Sequence, residues 1–371
     1  MDHTGEGGLL DSQLTTPSAD EQIQFLANVQ RLLKEGAFVA TYKYALLMAL
    51  TDLSVEKGDD TGSPLNLSLS EIAEKFVYYY WRQTIPYVPP TISTLPHDGM
   101  ILQQNTRSQA EIVRLVERAR EAHSDIQNLK GNAPNKWRRL VQMVAAKIDE
   151  QPLWKLQRVG DEYLEFLYPN ARQSDSVVLK VGVAFCFRRF HSLIGDLVRG
   201  AWARYVRRFN HNILGTTTDL HEFLFGTERL PLGNYIPILW ELQNGSCFYC
   251  GHLLKRESSN VDHFIPWAVY PFDLGHNFVL AHDRPCNSKK SDMLASAEHL
   301  NKWAERNSMF REELRRRFDA AHLVYDLKVS ARVTYWAYRQ TFSANGLTWR
   351  RGEELVHLPS NWSSSLDVLL Q

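Results

Sequence analysis

Apolar positions recur at helical spacing over most of the first 150 residues. Their spacing predicts two helices over residues 21–55. After a break at KGDDTGSP, Ser68 and Glu71 form a capping box, which predicts a helix through LSEIAEKFVYYYWRQ. Helical spacing resumes at about 108–129 and again at 135–148. The N-terminal half of the chain is therefore predicted to be largely helical.

The order helix, helix, turn, helix in the first 85 residues fits two kinds of structure. One is a helix-turn-helix DNA reader, and the other is a small helical bundle with no link to DNA. The pattern leaves both open. The segment IPYVPPTISTLP that follows predicts a linker or a rigid bend.

Beyond residue 148 the pattern becomes mixed. EYLEFLY and DSVVLKV predict a short β pair, and an apolar, basic segment predicts one helix over about 184–210. Helical spacing returns from about residue 296. These changes divide the chain into five parts. They are a disordered tail (1–20), a helical domain that is a candidate for DNA recognition (21–130), a mixed region with an Arg-rich helix (131–235), a segment rich in Cys and His (236–300) and a helical C-terminal extension (301–371).

Length, charge and cysteine usage narrow the class of protein. A chain of 371 residues suggests two or three domains. The 42 basic residues balance the 42 acidic ones, so any attraction for phosphate must come from local clusters. The start has no signal-peptide pattern and no apolar run is long enough to span a bilayer, so a cytoplasmic location without membrane contact is expected. A Cys-x-x-Cys pair favours metal binding over disulfides, and Cys186 is expected to be a buried thiol.

A local basic cluster lies in the predicted helix at 184–210. Arginine supplies planar bidentate donors for phosphate, and Trp202 and Tyr205 could stack on bases. The alternative is an amphipathic core helix whose arginines are solvated or paired with carboxylates. The candidates for nucleic-acid binding are Arg188, Arg189, Arg204, Arg207 and Arg208.

Four short motifs follow one another between residues 247 and 292. They are CFYCG, DHFIP, an asparagine followed by three apolar residues, and CNSKKSD. Their order and spacing resemble those of the HNH, or ββα-metal, nucleases. The resemblance covers roughly 50 residues and implies a zinc-bearing ββα domain within residues 236–300.

The chemistry of phosphodiester hydrolysis suggests roles for these residues. Asp262 and Asn287 offer hard oxygen ligands for Mg²⁺ or Mn²⁺, and the imidazole of His263 suits a general base near neutral pH. His276 is the rival base, but it lacks a preceding carboxylate. In the family an asparagine on the ββ loop orients the histidine, and Asn277 lies at that position.

The helix that Asn287 is expected to open carries a further candidate. Lys290 lies about one turn later, where it could reach a phosphate oxygen. The neighbouring Lys289 points about 100° away and is the weaker candidate.

The structural zinc site is where this sequence departs from the family. Zinc-bearing members usually supply a second Cys-x-x-Cys, but here only its final cysteine, Cys286, is present with Cys247 and Cys250. A tetrahedral site needs a fourth protein ligand, and His282 is the predicted one. His252 and, less favourably, Asp283 are its rivals.

Together these observations predict a mainly α-helical (α+β) protein with an embedded zinc-stabilised HNH domain near the C-terminus. The resemblance implies a metal-dependent endonuclease that cleaves DNA, in a role such as restriction or phage defence. Two alternatives stay open: an HNH nuclease that cleaves RNA, and a non-catalytic zinc module that binds nucleic acid or a protein partner. A homodimer and a larger defence complex are both compatible with the sequence.

Overall fold

The computed structural model describes residues 16–88, 99–170, 175–214, 219–226 and 232–371. Most of the predicted tail and residues 89–96 of the Pro-rich segment lie outside these ranges. The described chain is mainly α-helical with small sheets, in agreement with the predicted class. Among its helices, none combines the length and apolar character that crossing a membrane requires.

Helices supply most of the described secondary structure. They are α1 Ala19–Glu35, α2 Tyr42–Lys57, α3 Leu69–Gln83, α4 Glu111–Ala122, α5 Ile126–Asn132, α6 Pro134–Glu150, α7 Pro152–Lys155, α8 Val183–Arg189, α9 His191–Phe209, α10 Leu220–Phe225, α11 Ile236–Leu242, α12 Ser288–Lys290, α13 Ala297–Met309, α14 Arg311–Ala320, α15 Leu327–Ser343 and α16 Asp367–Leu370. The strands are β1 Leu65–Ser68, β2 Arg158–Val159, β3 Glu162–Tyr163, β4 Ser176–Leu179, β5 Ser259–His263, β6 Phe278–His282, β7 Leu347–Arg351 and β8 Glu354–His357.

The predicted capping box at the start of α3 is confirmed. The Ser68 hydroxyl accepts from the Glu71 N–H at 3.2 Å, and the Glu71 carboxylate accepts from the Ser68 N–H at 2.9 Å. The two bonds satisfy donors that an uncapped helix leaves unpaired. Helix α3 therefore begins and ends at the residues that its sequence predicts.

Two predictions between residues 162 and 210 were wrong. The runs predicted as one β pair belong to different sheets: β3 pairs with β2, and β4 pairs with β1 from Leu65↔Leu179 to Ser68↔Ser176. The predicted helix over 184–210 is two helices, α8 and α9, because Phe190 leaves helical geometry (φ −113°, ψ 22°). Cys186 on α8 is buried as expected, and burial raises the pKa of its thiol to about 12.

The described chain has two hydrophobic cores. The first runs from Phe25 to Leu224, so the expected boundary at residue 130 does not coincide with a break in the core. Helices α3 and α6, on either side of that boundary, pack closely against each other. The second core runs from Tyr235 to Leu369, with Val55 of α2 added, and so joins segments 236–300 and 301–371.

The loop between β5 and β6 connects the two cores. Tyr270 donates a hydrogen bond to the buried carboxylate of Glu56 on α2, and Lys75 on α3 pairs with the same carboxylate. The Lys75 ammonium also lies 3.7 Å from the centroid of the Phe272 ring, a cation–π contact. Residues 270–272 are thus held by two helices of the N-terminal core.

Candidate functional site

An antiparallel hairpin positions the predicted site residues. Strands β5 and β6 pair from Ser259↔His282 to His263↔Phe278. Strand β6 is apolar and buried from Phe278 to Ala281, which anchors the hairpin in the second core. A turn over residues 283–287 then leads into the short helix α12. The site therefore has the order strand, strand, helix.

Four soft donors converge beside the end of this hairpin. The Sγ atoms of Cys247, Cys250 and Cys286 and a ring nitrogen of His282 all lie within 4.8 Å of one another. A tetrahedral zinc with Zn–S bonds of about 2.3 Å holds its sulfur ligands about 3.8 Å apart. The donor set and its spacing could therefore bind a metal such as zinc.

Local backbone geometry brings the first two cysteines together. The Cys247 N–H donates to the His252 carbonyl at 2.8 Å, and the Gly251 N–H donates back to the Cys247 carbonyl at 2.9 Å. Gly251 has φ +75°, a left-handed conformation that a side chain would strain. The turn that closes the Cys-x-x-Cys motif thus depends on glycine at this position.

His282, and not its rivals, completes the cluster. Its Nδ1 lies 3.5 Å from the Cys250 Sγ, while its Nε2 lies 3.3 Å from the Leu253 carbonyl, which orients the ring. His252 is exposed, and the carboxylate of Asp283 accepts a hydrogen bond from Asn260 at 2.9 Å. The predicted choice of His282 agrees with this geometry.

Asp262 is held by two buried donors. Its Oδ2 accepts from the Tyr249 hydroxyl at 2.5 Å and lies 3.2 Å from the Lys290 Nζ. Lys290 also donates to the His263 carbonyl at 2.9 Å, and none of its surface is exposed. The expectation that Lys290 reaches a phosphate was wrong, because its ammonium is enclosed and already paired; it positions the Asp262-His263 dipeptide instead.

The direct partner of His263 is Asp273, which the sequence analysis missed. The His263 Nε2 lies 2.8 Å from the Asp273 Oδ1, with both side chains largely buried. Asn277 does not fill the expected role by direct contact: its side chain bonds the N–H and the carbonyl of Ile265 at 2.8 and 3.0 Å. It fixes the chain just after the histidine, while Asp273 fixes the ring.

Only its position in the loop, four residues before Asn277, could have drawn attention to Asp273. An aspartate in a loop is common, and nothing in PFDLGHN distinguishes it from a turn residue. Tyr249 was missed for a similar reason, since an aromatic residue between two cysteines reads as a packing residue.

His276, the rival base, lies away from the cleft. It is only 1% exposed and packs against Phe318 and Tyr325, with neither ring nitrogen bonded to a described residue. Burial, together with the charges of Arg306 and Arg311, lowers the pKa of His276 to about 3. A buried imidazole that stays neutral is a poor candidate for proton exchange with a substrate-bound water.

A polar cleft of about 560 Å³ opens beside the hairpin. Asp262, His263, Asp273 and Asn287 all line it. Both bonds to Asp262 end on Oδ2, and within the described residues neither the Asp262 Oδ1 nor the Asn287 side chain has a hydrogen-bond partner. Two side-chain oxygen atoms in the same cleft as the imidazole are thus available to bind a metal ion.

The structure separates the five predicted nucleic-acid-binding arginines. Arg188 is 2% exposed; it pairs with Asp60 at 2.9 Å and bonds main-chain carbonyls at the end of α2, so its predicted contact with phosphate was wrong. Trp202 is fully buried and cannot stack on a base. Arg189, Arg204 and Arg208 are exposed and Arg207 is half-buried, but none of the five is among the described residues that line the cleft.

Comparison with known proteins identifies the N-terminal core. Residues 22–224, just over half of the chain, match the family described as a domain of unknown function (DUF8808), and the chain belongs to that family. No curated protein and no solved structure matches the chain. The hairpin, the Cys-His cluster and the polar cleft all lie C-terminal to the matched residues.

Proposed function

We propose that this DUF8808 chain is a metal-dependent endonuclease of the HNH type that hydrolyses phosphodiester bonds in DNA. The observation that carries the proposal is the carboxylate-bound imidazole of His263, which lies in the same cleft as the oxygen donors of Asp262 and Asn287. The strand, strand, helix order of β5, β6 and α12 supports it, because the HNH family places its site on such a unit.

His263 is the proposed general base. An ionised carboxylate can only accept a hydrogen bond, so the nitrogen that faces it must carry a proton. The contact with Asp273 therefore places the proton of the neutral ring on the His263 Nε2 and leaves a lone pair on Nδ1. That nitrogen takes a proton from the attacking water. Asp273 then stabilises the imidazolium that forms, while Lys290 holds the main chain at His263 and Asn277 holds it at Ile265.

Asp262 and Asn287 are the proposed ligands of a catalytic Mg²⁺ or Mn²⁺. Their hard oxygen donors suit these ions, although the carboxylate is shared with Lys290 and Tyr249. The cation supplies charge neutralisation at the scissile phosphate and the leaving oxygen. Tyr249 and Lys290 keep the carboxylate at a fixed orientation in the cleft.

Zinc in the Cys-His cluster is proposed to be structural. The four ligands come from the loop before β5, the end of β6 and the turn before α12, so one ion ties all three parts of the unit together. Binding of structural zinc contributes on the order of 10 kcal/mol to folding in small zinc modules. We expect about one zinc per chain by elemental analysis, with a sharp loss in Cys247→Ser and in His282→Ala, whereas His252→Ala should keep it. Zinc-free wild-type protein would contradict this assignment.

The proposal is tested by incubating purified protein with supercoiled plasmid, with and without Mg²⁺ or Mn²⁺. His263→Ala should lower cleavage by about 10²- to 10⁴-fold, because it removes the base while keeping the metal ligands. His252→Ala, an exposed histidine outside the cleft, is the matched control and should cleave normally. Matched RNA and DNA oligonucleotides distinguish the substrate, and cleavage of RNA alone would replace DNA in the proposal. Absence of cleavage with every ion and substrate would favour a non-catalytic zinc module.

A further inference from the structure

A second cavity, of about 540 Å³, lies in the N-terminal core at the start of α2. It shares no lining residue with the polar cleft. Five basic side chains and two acidic ones line it: Lys43, Arg114, Arg118, Lys147, Lys155, Glu111 and Glu150. Both glutamates pair with Lys147, at 3.2 and 2.9 Å, so the other four basic side chains are not balanced by an acidic one lining the cavity.

Lys43 is the unusual member of this set. It is 6% exposed, and among the described residues it has no hydrogen bond or ion pair; its Nζ lies 5.3 Å from the centroid of the Phe38 ring. Burial, with the charges of Arg158 and Lys155, lowers the pKa of Lys43 to about 8. A lysine this deeply buried is normally paired, because an uncompensated buried charge is costly.

The backbone around Lys43 adds to the positive field. Lys43 is the second residue of α2, where the helix dipole disfavours a cation and favours an anion. The N-cap residue, Thr41, makes no side-chain capping bond, and the main-chain N–H groups of Tyr42 and Lys43 have no acceptor among the described residues. Unpaired helix amides next to lysine and arginine side chains form the usual setting for phosphate binding.

From these observations we infer that the cavity binds a small molecule that carries a phosphate group. The phosphate lies between the start of α2 and the Lys43 ammonium, and Arg114, Arg118 and Lys155 surround the rest of the ligand. The concave shape and volume suit a small ligand better than the backbone of a duplex. An anion here offsets the charge that the protein leaves unpaired.

The ligand is an effector, because α2 links the cavity to the cleft. Lys43 and Glu56 lie on the same helix, about 20 Å apart at 1.5 Å per residue. Glu56 accepts the hydrogen bond from Tyr270, in the loop that carries Asp273 to His263. This regulatory role rests on the proposed nuclease function, whereas ligand binding does not.

Binding is measured by calorimetry and thermal unfolding of the full chain with inorganic phosphate, pyrophosphate and AMP, against chloride at equal ionic strength. Wild-type protein should bind at least one of the three and unfold at a higher temperature in its presence. Loss of one charge-assisted contact should weaken binding by about ten- to a hundred-fold in Lys43→Met. Arg118→Gln, an exposed residue whose substitution spares the core, should weaken it as well, while Lys34→Met, an exposed lysine outside the cavity, should bind as wild type.

Lys43→Met should also unfold at a higher temperature than wild type in phosphate-free buffer, because it removes an unpaired charge that burial partly desolvates. Equal binding by wild type, Lys43→Met and Arg118→Gln would overturn the site. The site would also be overturned if a short single-stranded DNA bound in a way that depends on Lys43 and that none of the three phosphate compounds could displace. If cleavage is observed, the bound phosphate should change its rate in wild type and not in Lys43→Met; an unchanged rate would overturn the effector role. If no cleavage is observed, the binding measurements still decide the site.

Discussion

Replacing Asp273 by asparagine tests the link between the imidazole and its carboxylate. The substitution keeps the shape of the side chain and an oxygen that can accept from the His263 Nε2 at 2.8 Å. It removes only the negative charge. Both side chains line the polar cleft but are largely buried, with 17% of His263 and 10% of Asp273 exposed, so solvent screens the interaction weakly.

The size of the expected loss follows from that single contact. A hydrogen bond to a charged group contributes about 1.5–3 kcal/mol and one between neutral groups about 0.5–1.5 kcal/mol, so loss of the charge alone costs about 1–1.5 kcal/mol. Because about 1.4 kcal/mol corresponds to a factor of ten in rate, Asp273→Asn should lower the rate constant of cleavage by about five- to fifteen-fold. The Michaelis constant for DNA should change little, because Asp273 acts on the base and is not placed to hold the substrate.

Single-turnover cleavage of a labelled DNA, measured over a range of DNA concentrations, separates these two constants. Asp292→Asn is the matched control, since Asp292 lines the same cleft, is exposed and has no hydrogen bond to a described residue. Circular dichroism and zinc content should be the same in both variants. Full activity in Asp273→Asn, or an equal loss in Asp292→Asn, would refute the orienting role of Asp273.

Three other predictions concern stability and DNA binding. The pKa of His276 is about 3 in the folded protein and about 6.5 in the unfolded chain, so the free energy of unfolding should fall as the pH drops below about 6.5. At pH 5 the loss should be about 2 kcal/mol. Urea titrations at pH 7.5 and pH 5 measure this loss, which His276→Phe should abolish. In the same assay Lys290→Met should lower the free energy of unfolding by about 3–5 kcal/mol, because it leaves the buried carboxylate of Asp262 without its cation. Lys289 is exposed, so Lys289→Met should lower it by less than about 0.5 kcal/mol. Equal losses would contradict the burial of Lys290. If Arg204 and Arg208 contact DNA phosphates, replacing each by glutamine should reduce the slope of log affinity against log salt by about 0.9, and an unchanged slope would exclude the contact.

Local sequence signals were sufficient for the elements that depend on neighbouring residues. The capping box at Ser68 and Glu71 predicted α3, since its hydrogen bonds span only three positions. The Cys-x-x-Cys spacing predicted half of the Cys-His cluster; the rule of four ligands required one more beyond Cys286, and the resemblance to the HNH family indicated His282, where the missing cysteine would lie. In each case the physical constraint is short in range or fixed by the chemistry of the metal.

The roles of the charged residues were decided by tertiary structure. Arg188 and Lys290 look like surface cations in the sequence, but long-range packing buries them against α2 and against the β5–β6 hairpin. Asp273 carries no sequence signal, because its partner is set by the path of a loop that Glu56 and Lys75 hold from another core. Charge alone does not tell whether a side chain faces solvent, a carboxylate or a cavity.

The cavity at the start of α2 illustrates the same division. The sequence determined that Lys43 would lie in a helix, because its neighbours are apolar at helical spacing. Only the packing of α4, α6 and α7 around that helix removed most of the Lys43 side chain from solvent and placed other cations beside it. Helix formation depends on residues three and four positions apart, whereas burial and the electrostatic field depend on segments more than 60 residues away.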